Sequence, residues 1–272
     1  MYGFAVAADG ALVTAGDDGL VRRDVRTGAV TAKLGPEPRF VAMSPDGTRV
    51  AASDHEVVIV RDAISGALVA RLPRRGYTAA FSRDNSRIVT GDNGYAWLWS
   101  LPDGQLLGDM PTSARMYSTV AISEDGRRVA VAGNDHDIYM WDTSGASPRL
   151  VKRAAGPEHT PQELMFTRDG RTLISVIANG TWFAWDPEDG SLIRRVDTQL
   201  HQFGGSELSP DERWLAVGAG DGTVRVWEVA SGALRATLRT DRDSGMSVQF
   251  SPDGRRLLVG TGRGRRWCGR CR

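Results

Sequence analysis

The chain has 272 residues, 41% of them hydrophobic, enough to build a sizeable buried core. Thirty-four basic residues stand against thirty-three acidic ones, a net charge of +1, which excludes a global field drawing the chain to nucleic acid or to an anionic membrane. Two cysteines exclude a disulfide framework, no apolar run is long enough to span a bilayer, and the residues after Met1 lack the basic start and apolar stretch of a signal peptide. Together these point to a cytoplasmic setting.

One phrase organises the sequence: an apolar stretch, then Asp-Gly or a near variant. It stands at Asp9-Gly10 and returns at Asp46-Gly47, Asp84-Asn85, Asp125-Gly126, Asp169-Gly170, Asp211-Glu212 and Asp253-Gly254. A period near 40 residues with several short apolar runs in each is the mark of a repeat array. The repeats fall at about 3–38, 39–76, 77–115, 116–160, 161–203, 204–244 and 245–262.

In chain order, the first repeat opens on a strand of small residues, Phe4-Ala-Val-Ala7. A third strand is expected at 57–60, 96–99, 138–141, 181–185 and 223–227 in the second to sixth repeats. The turn after it carries Gly28, Gly66, Gly104, Gly145, Gly190 and Gly232 in the first six. The sixth repeat is the clearest, with strands at 206–209, 214–218, 223–227 and 233–238. Asp221-Gly222 and Ser231-Gly232 join the last three of these, pairs that tolerate the positive φ of tight hairpins.

The seventh repeat offers strands at 246–250 and 256–260, after which 263–272 reads as an irregular basic tail with no alternation. Four-stranded units that cannot bury both faces alone stack around an axis. The expected fold is therefore all-β, a seven-bladed β-propeller of four-stranded antiparallel blades with the last blade incomplete. A fragment or an altered reading frame at the end is expected to account for that incompleteness. Two open strand edges would invite edge-mediated self-association.

Trp141-Asp142, Trp185-Asp186, Trp227-Glu228 and Trp99-Ser100 close third strands, and Asn93, Asp135, Asn179 and Asp221 lie six residues before those tryptophans. In these features the chain resembles the WD-repeat β-propeller family, in its divergent bacterial type. It departs from the family's pattern at Arg23-Asp24 and Arg61-Asp62, where Trp-Asp would stand. The family's Gly-His pair is absent, and Gly133, Ile177 and Ala219 replace the Ser or Thr before the turn acid. The family's hydrogen-bonded Asp-His-Ser-Trp arrangement is therefore expected not to form, leaving the tryptophans to packing.

Chemistry-bearing residues are sparse. The aspartates recur at one turn position in every repeat, which assigns them to turn structure rather than to acid–base or metal work. Cys268 and Cys271 form half a zinc site without a second pair. His55, His136, His159 and His201 are scattered, and no nucleotide-binding or hydrolase motif occurs. No catalytic residue, metal ligand or cofactor is expected.

What remains is surface. Loops joining one repeat's last strand to the next repeat's first share a rim with the second-to-third strand turns. That rim carries Arg74, Arg75, Tyr77, Arg115, Tyr117, His136, His159 and Phe203. Arginine and tyrosine are enriched in interface hot spots. The expectation is a non-enzymatic interaction or sensing scaffold that binds a protein or peptide on this rim, within a larger bacterial signalling protein. Neither nucleic acid nor membrane is an expected partner. The alternatives are a propeller-type hydrolase or dehydrogenase with its site in the central channel, or a non-functional gene fragment.

Overall fold

The structure is a computed structural model that describes the chain except residues 1–2, 37, 55, 117–118, 157–158, 199, 201–202, 241–245, 252, 262–263 and 271–272. It divides into two compact units, Met1–Gly156 and Pro157–Arg272.

The first unit holds four sheets, each a four-stranded antiparallel meander in sequence order. The first sheet is β1 (Gly3–Val6), β2 (Leu12–Gly16), β3 (Gly19–Arg23) and β4 (Val30–Gly35). The second is β5 (Val41–Met43), β6 (Arg49–Asp54), β7 (Val57–Asp62) and β8 (Leu68–Leu72). The third is β9 (Thr78–Phe81), β10 (Arg87–Asp92), β11 (Tyr95–Ser100) and β12 (Leu106–Pro111). The fourth is β13 (Thr119–Ile122), β14 (Arg128–Ala132), β15 (Ile138–Asp142) and β16 (Arg149–Ala154). Their first strands β1, β5, β9 and β13 neighbour one another in that order.

The second unit continues the pattern with β17 (Pro161–Phe166), β18 (Leu173–Ile177), β19 (Trp182–Trp185) and β20 (Leu192–Val196). Its next sheet is β21 (Phe203–Leu208), β22 (Trp214–Ala219), β23 (Thr223–Glu228) and β24 (Leu234–Arg239). A three-stranded sheet follows: β25 (Met246–Phe250), β26 (Arg256–Thr261) and β27 (Gly264–Arg270). The fold is thus all-β and built of four-stranded antiparallel propeller blades. The described residues show six complete blades and one sheet of three strands, where seven blades with the last incomplete are expected from the sequence.

The tail needs a correction. Residues 263–272 read as irregular, yet β27 pairs antiparallel with β26 from Arg256↔Arg270 to Thr261↔Gly264. Alternation of side chains is required where one face is buried. Backbone pairing to an open edge needs only an extended chain, so the pattern-based reading passed over this strand.

In the third blade the middle strands β10 and β11 are buried on both faces, because this blade packs against the second and the fourth. In β11, Trp97 and Trp99 join Phe40, Val58 and Leu72 of the second blade. The alternate residues Ala96 and Leu98 join Val120, Val129 and Trp141 of the fourth. The same arrangement in the second unit packs Ile174 and Trp182 on Leu215 and Trp227. Opposite every third-strand Trp or its Arg substitute, the pairing to the fourth strand shifts register, from Arg22/Arg23 to Val226/Trp227. A bulge of this kind bends the outer strand and increases its twist.

The turns explain the recurring aspartates. In each of six repeats, a Ser or Thr hydroxyl donates to the turn Asp and accepts the backbone N–H five residues on. Ser44 Oγ lies 2.6 Å from Asp46 Oδ1, and Arg49 N lies 2.9 Å from Ser44 Oγ. Ser82, Ser123, Thr167, Ser209 and Ser251 repeat the motif. Burial opposes the charge of Asp46. Hydrogen bonds from Ser44, Asn85 and Thr48 outweigh it and hold the carboxyl at about 2. Adjacent turns also interlock: Ala8 N donates to Gly47 O at 2.9 Å, and Arg87 Nη1 donates to Gly126 O at 3.0 Å.

Candidate partner-binding rim

In the first unit, the rim is built from the β8–β9 loop, the β10–β11 turn and the β12–β13 loop. Asn93-Gly94 makes the turn, with Gly94 at φ +77°. Two loops clamp it. Tyr77 N donates to Gly91 O at 2.8 Å from one side, and Thr112 N donates to Gly94 O at 2.8 Å from the other. A Cβ on Gly94 would lie 2.1 Å from Ala114 O, so the turn admits only glycine.

This clamped turn projects Tyr95, which is 51% exposed and stacks on Trp97 with ring centroids 6.0 Å apart. Arg74 lies over the opposite partner of that stack, its guanidinium 5.8 Å from the Trp97 centroid. Arg75 sits 3.7 Å from the buried carboxylate of Asp92. Arg39 lies 5.3 Å over the Tyr77 ring and donates to its hydroxyl at 3.0 Å. Arg74, Arg75 and Tyr77 thus all lie on the loop beside this turn. Tyr95, Trp97 and Arg39 complete the cluster and were not foreseen. Tyr95-x-Trp97 places two aromatics on one face of β11, a signal the alternation carries. Arg39 lies 38 residues from Tyr77 and leaves no local trace.

Arg115 stands exposed on the β12–β13 loop, where its backbone N–H donates to Asn134 Oδ1 at 2.8 Å. Asn134 belongs to the β14–β15 turn that also carries His136, so Arg115 and His136 share one loop cluster. His136 is half-buried with φ +68°, and its N–H bonds Gly133 O at 3.0 Å. Beside it, Tyr139 Oη donates to Asp135 Oδ2 at 2.6 Å and accepts from Ser113 N at 3.1 Å. Arg153 pairs with Asp137 and lies 5.5 Å over the Tyr139 ring.

In the second unit, His159 is exposed ahead of β17. Phe203 opens β21, bonds Ala178 O through its N–H at 3.0 Å, and packs against the core of Trp182 and Leu200. It behaves as core more than as surface. Tyr117, His55 and His201 lie outside the described residues.

Two glutamates were missed because the first strands read as Ala, Val, Phe and Ser. Glu163 on β17 accepts from Ser206 N at 2.9 Å and from the Ser206 hydroxyl. Glu207 on β21 accepts from Phe250 N. Each carboxylate thus ties its first strand to the next. Burial pushes Glu163 up to about 7 against the hydrogen bonds from Ser206. Burial, helped by the nearby Glu163 charge, pushes Glu207 up to about 8. Gln249 holds the position on β25 that Glu207 holds on β21, four residues before the turn Asp.

The family model described as WD domain, G-beta repeat matches residues 112–142 and 201–228. These matches support a WD-repeat β-propeller. The chain is 29% identical over 140 residues to the human Transducin beta-like protein 2, covering 45% of this chain and 31% of that protein. It is 28% identical over 109 residues to the Drosophila melanogaster Protein LST8 homolog, covering 38% and 35%. It is 27% identical over 102 residues to the Drosophila melanogaster Protein groucho, covering 37% and 14%. The chain spans about a third or less of the length of these curated relatives.

The WD positions can now be compared with their geometry. Trp99 Nε1 donates to Thr90 Oγ1, and Trp185 Nε1 donates to Ser175 Oγ, each at 2.9 Å in the core. Trp99 and Trp185 therefore do more than pack, which corrects the expectation of packing alone at these two positions. That reading looked two residues before the turn acid, whereas strand pairing sets the acceptor diagonally across β10 and β18. In the first repeat, Arg23 takes over the indole's role: its Nε donates to Thr14 Oγ1 at 3.3 Å, and its Nη1 to Gly28 O at 3.0 Å.

Proposed function

We propose that the chain is a non-enzymatic interaction or sensing module whose rim, in the first unit, receives a protein or peptide segment. The observation that carries this reading is the cluster of Tyr77, Tyr95 and Trp97 with Arg74 and Arg75, held on loops that are clamped to a packed scaffold. Tyr95 is exposed on a ring stack whose other member, Trp97, is rooted in the core, and an exposed aromatic with arginines on a preorganised surface is a usual anchor of a protein interface. The similarity to WD-repeat proteins supports a scaffold role. Only Lys33 and Lys152 among the thirty-four basic residues are lysines, the bias of a GC-rich coding genome, which supports a bacterial setting; the place within a larger signalling protein is part of the proposal. Arg115 and His136 of the same unit extend the proposed surface.

The test is a selection of displayed random peptides on the immobilised chain, repeated on a variant carrying Tyr95→Ala and Arg74→Gln. Peptides enriched on the natural sequence and lost on a folded variant support the rim. Peptides enriched equally on both count against it.

Glu163 and Glu207 favour a second reading, because carboxyls that titrate near neutrality are the equipment of general acid–base chemistry. Against it, both are committed to the N–H groups of the neighbouring strand. A hydrolytic activity lost in Glu207→Gln with retained fold would favour the enzyme.

A further inference from the structure

We infer that the rim segment is selective for acidic peptides, an inference that rests on the reading of the rim as a partner site. Tyr95 stands on a turn flanked by two loops, and each loop carries an exposed arginine. Arg74 touches the Trp97 ring and has no carboxylate partner among the described residues. Arg115 likewise pairs with no carboxylate through its side chain. Two other arginines of this rim are matched, Arg153 by Asp137 and Arg75 by Asp92. The two loops that clamp the Tyr95 turn thus each carry an exposed arginine without a carboxylate partner among the described residues.

The geometry suits an extended chain that crosses Tyr95 and places one carboxylate on each side. Guanidinium groups bind carboxylates through paired N–H donors, and an arginine already stacked on an aromatic has lost part of its conformational freedom before binding. Met116, 51% exposed and next to Arg115 in the chain, offers an adaptable apolar contact. A peptide is favoured over a nucleic acid strand because a net charge of +1 and two unmatched arginines give too little phosphate neutralisation for backbone-driven binding.

Fluorescence anisotropy of the full chain with three labelled probes tests this. The probes are a short peptide alternating glutamate and serine, the same peptide with glutamine for glutamate, and a single-stranded oligoribonucleotide. The glutamate peptide is expected to bind, with affinity falling about tenfold for each of Arg74→Gln and Arg115→Gln. Both positions are exposed, so the variants should fold, and their far-ultraviolet spectra and melting curves verify this. Equal binding of the glutamine peptide would overturn the acidic preference and leave the rim reading standing. Preferential binding of the oligoribonucleotide, or glutamate-peptide binding unchanged in both variants, would overturn the inference. Absence of binding by every probe would overturn it too, while peptide selection on the rim would still decide the broader reading.

Discussion

Trp99 Nε1 and Thr90 Oγ1 are joined by a 2.9 Å hydrogen bond between adjacent strands of one blade, both groups fully buried. Trp185 and Ser175 repeat it in the second unit. In the fourth blade the diagonal position across from Trp141 is Val131, and Trp141 Nε1 has no partner.

Removing the acceptor leaves a buried indole N–H unpaired. Thr90→Val is therefore expected to cost about 1–3 kcal/mol. The converse change, Val131→Thr, supplies Trp141 with an acceptor of nearly the same shape and should stabilise by about 1 kcal/mol. Urea unfolding of both variants checks the opposite signs. A Thr90→Val midpoint equal to that of the natural sequence would mean that the bond contributes nothing.

Gly47 sits at φ +70°, and a Cβ there would lie 2.4 Å from Ala8 N, the group that donates to Gly47 O. Gly47→Ala combines backbone strain with a clash between neighbouring turns. The expected loss is about 2–4 kcal/mol, read from the melting temperature. Gly10→Ala is the control: φ is +82° there, but the space is open. It should cost only the strain.

The turn aspartates are held below their ordinary value; for Asp46 the contribution is complete above pH 3.8 and is lost as pH falls through about 2. Asp46 is exposed, and solvent screening reduces its share to about 1 kcal/mol. Asp46→Asn should remove that share of the acid sensitivity. Comparing unfolding midpoints near neutrality and near pH 2 reads the difference.

Glu163 and Glu207 act in the opposite direction. Their folded values of about 7 and about 8 lie above the ordinary 4.5, so the folded chain binds protons more tightly than the unfolded one between these limits. Their contribution is complete below 4.5 and declines as pH rises through about 8. Glu207→Gln keeps a carbonyl acceptor for Phe250 N and carries no charge. It should flatten the alkaline decline and be the more stable form above pH 8, by roughly 1–3 kcal/mol. Thermal melts across this range decide it. Parallel curves for the two proteins would contradict the assignment.

What the sequence disclosed follows from locality. Asp46-Gly47 and Asp221-Gly222 are contiguous turn signals, and the alternation at 223–227 is read from five neighbouring residues, so strands and repeats were legible. The fourth strand of the sixth repeat was placed at 233–238 and lies at Leu234–Arg239, a shift of one residue at a bulged edge. Contacts set by register across strands were not legible. Thr90 meets Trp99 only because Ile88 pairs with Trp99 in β10–β11. Glu163 matters only because Ser206, 43 residues later, lies on the next blade. The arginines of the rim were visible as residues, but their matching or absence of carboxylates belongs to the folded chain.

Amide hydrogen exchange on the chain with a selected peptide bound shows whether the first unit's rim receives the partner. The account expects new protection in the loops at 73–77, 92–95 and 112–116, with the outer strands β4 and β8 unchanged. Protection confined to those outer strands, with the three loops exchanging as before, would contradict it.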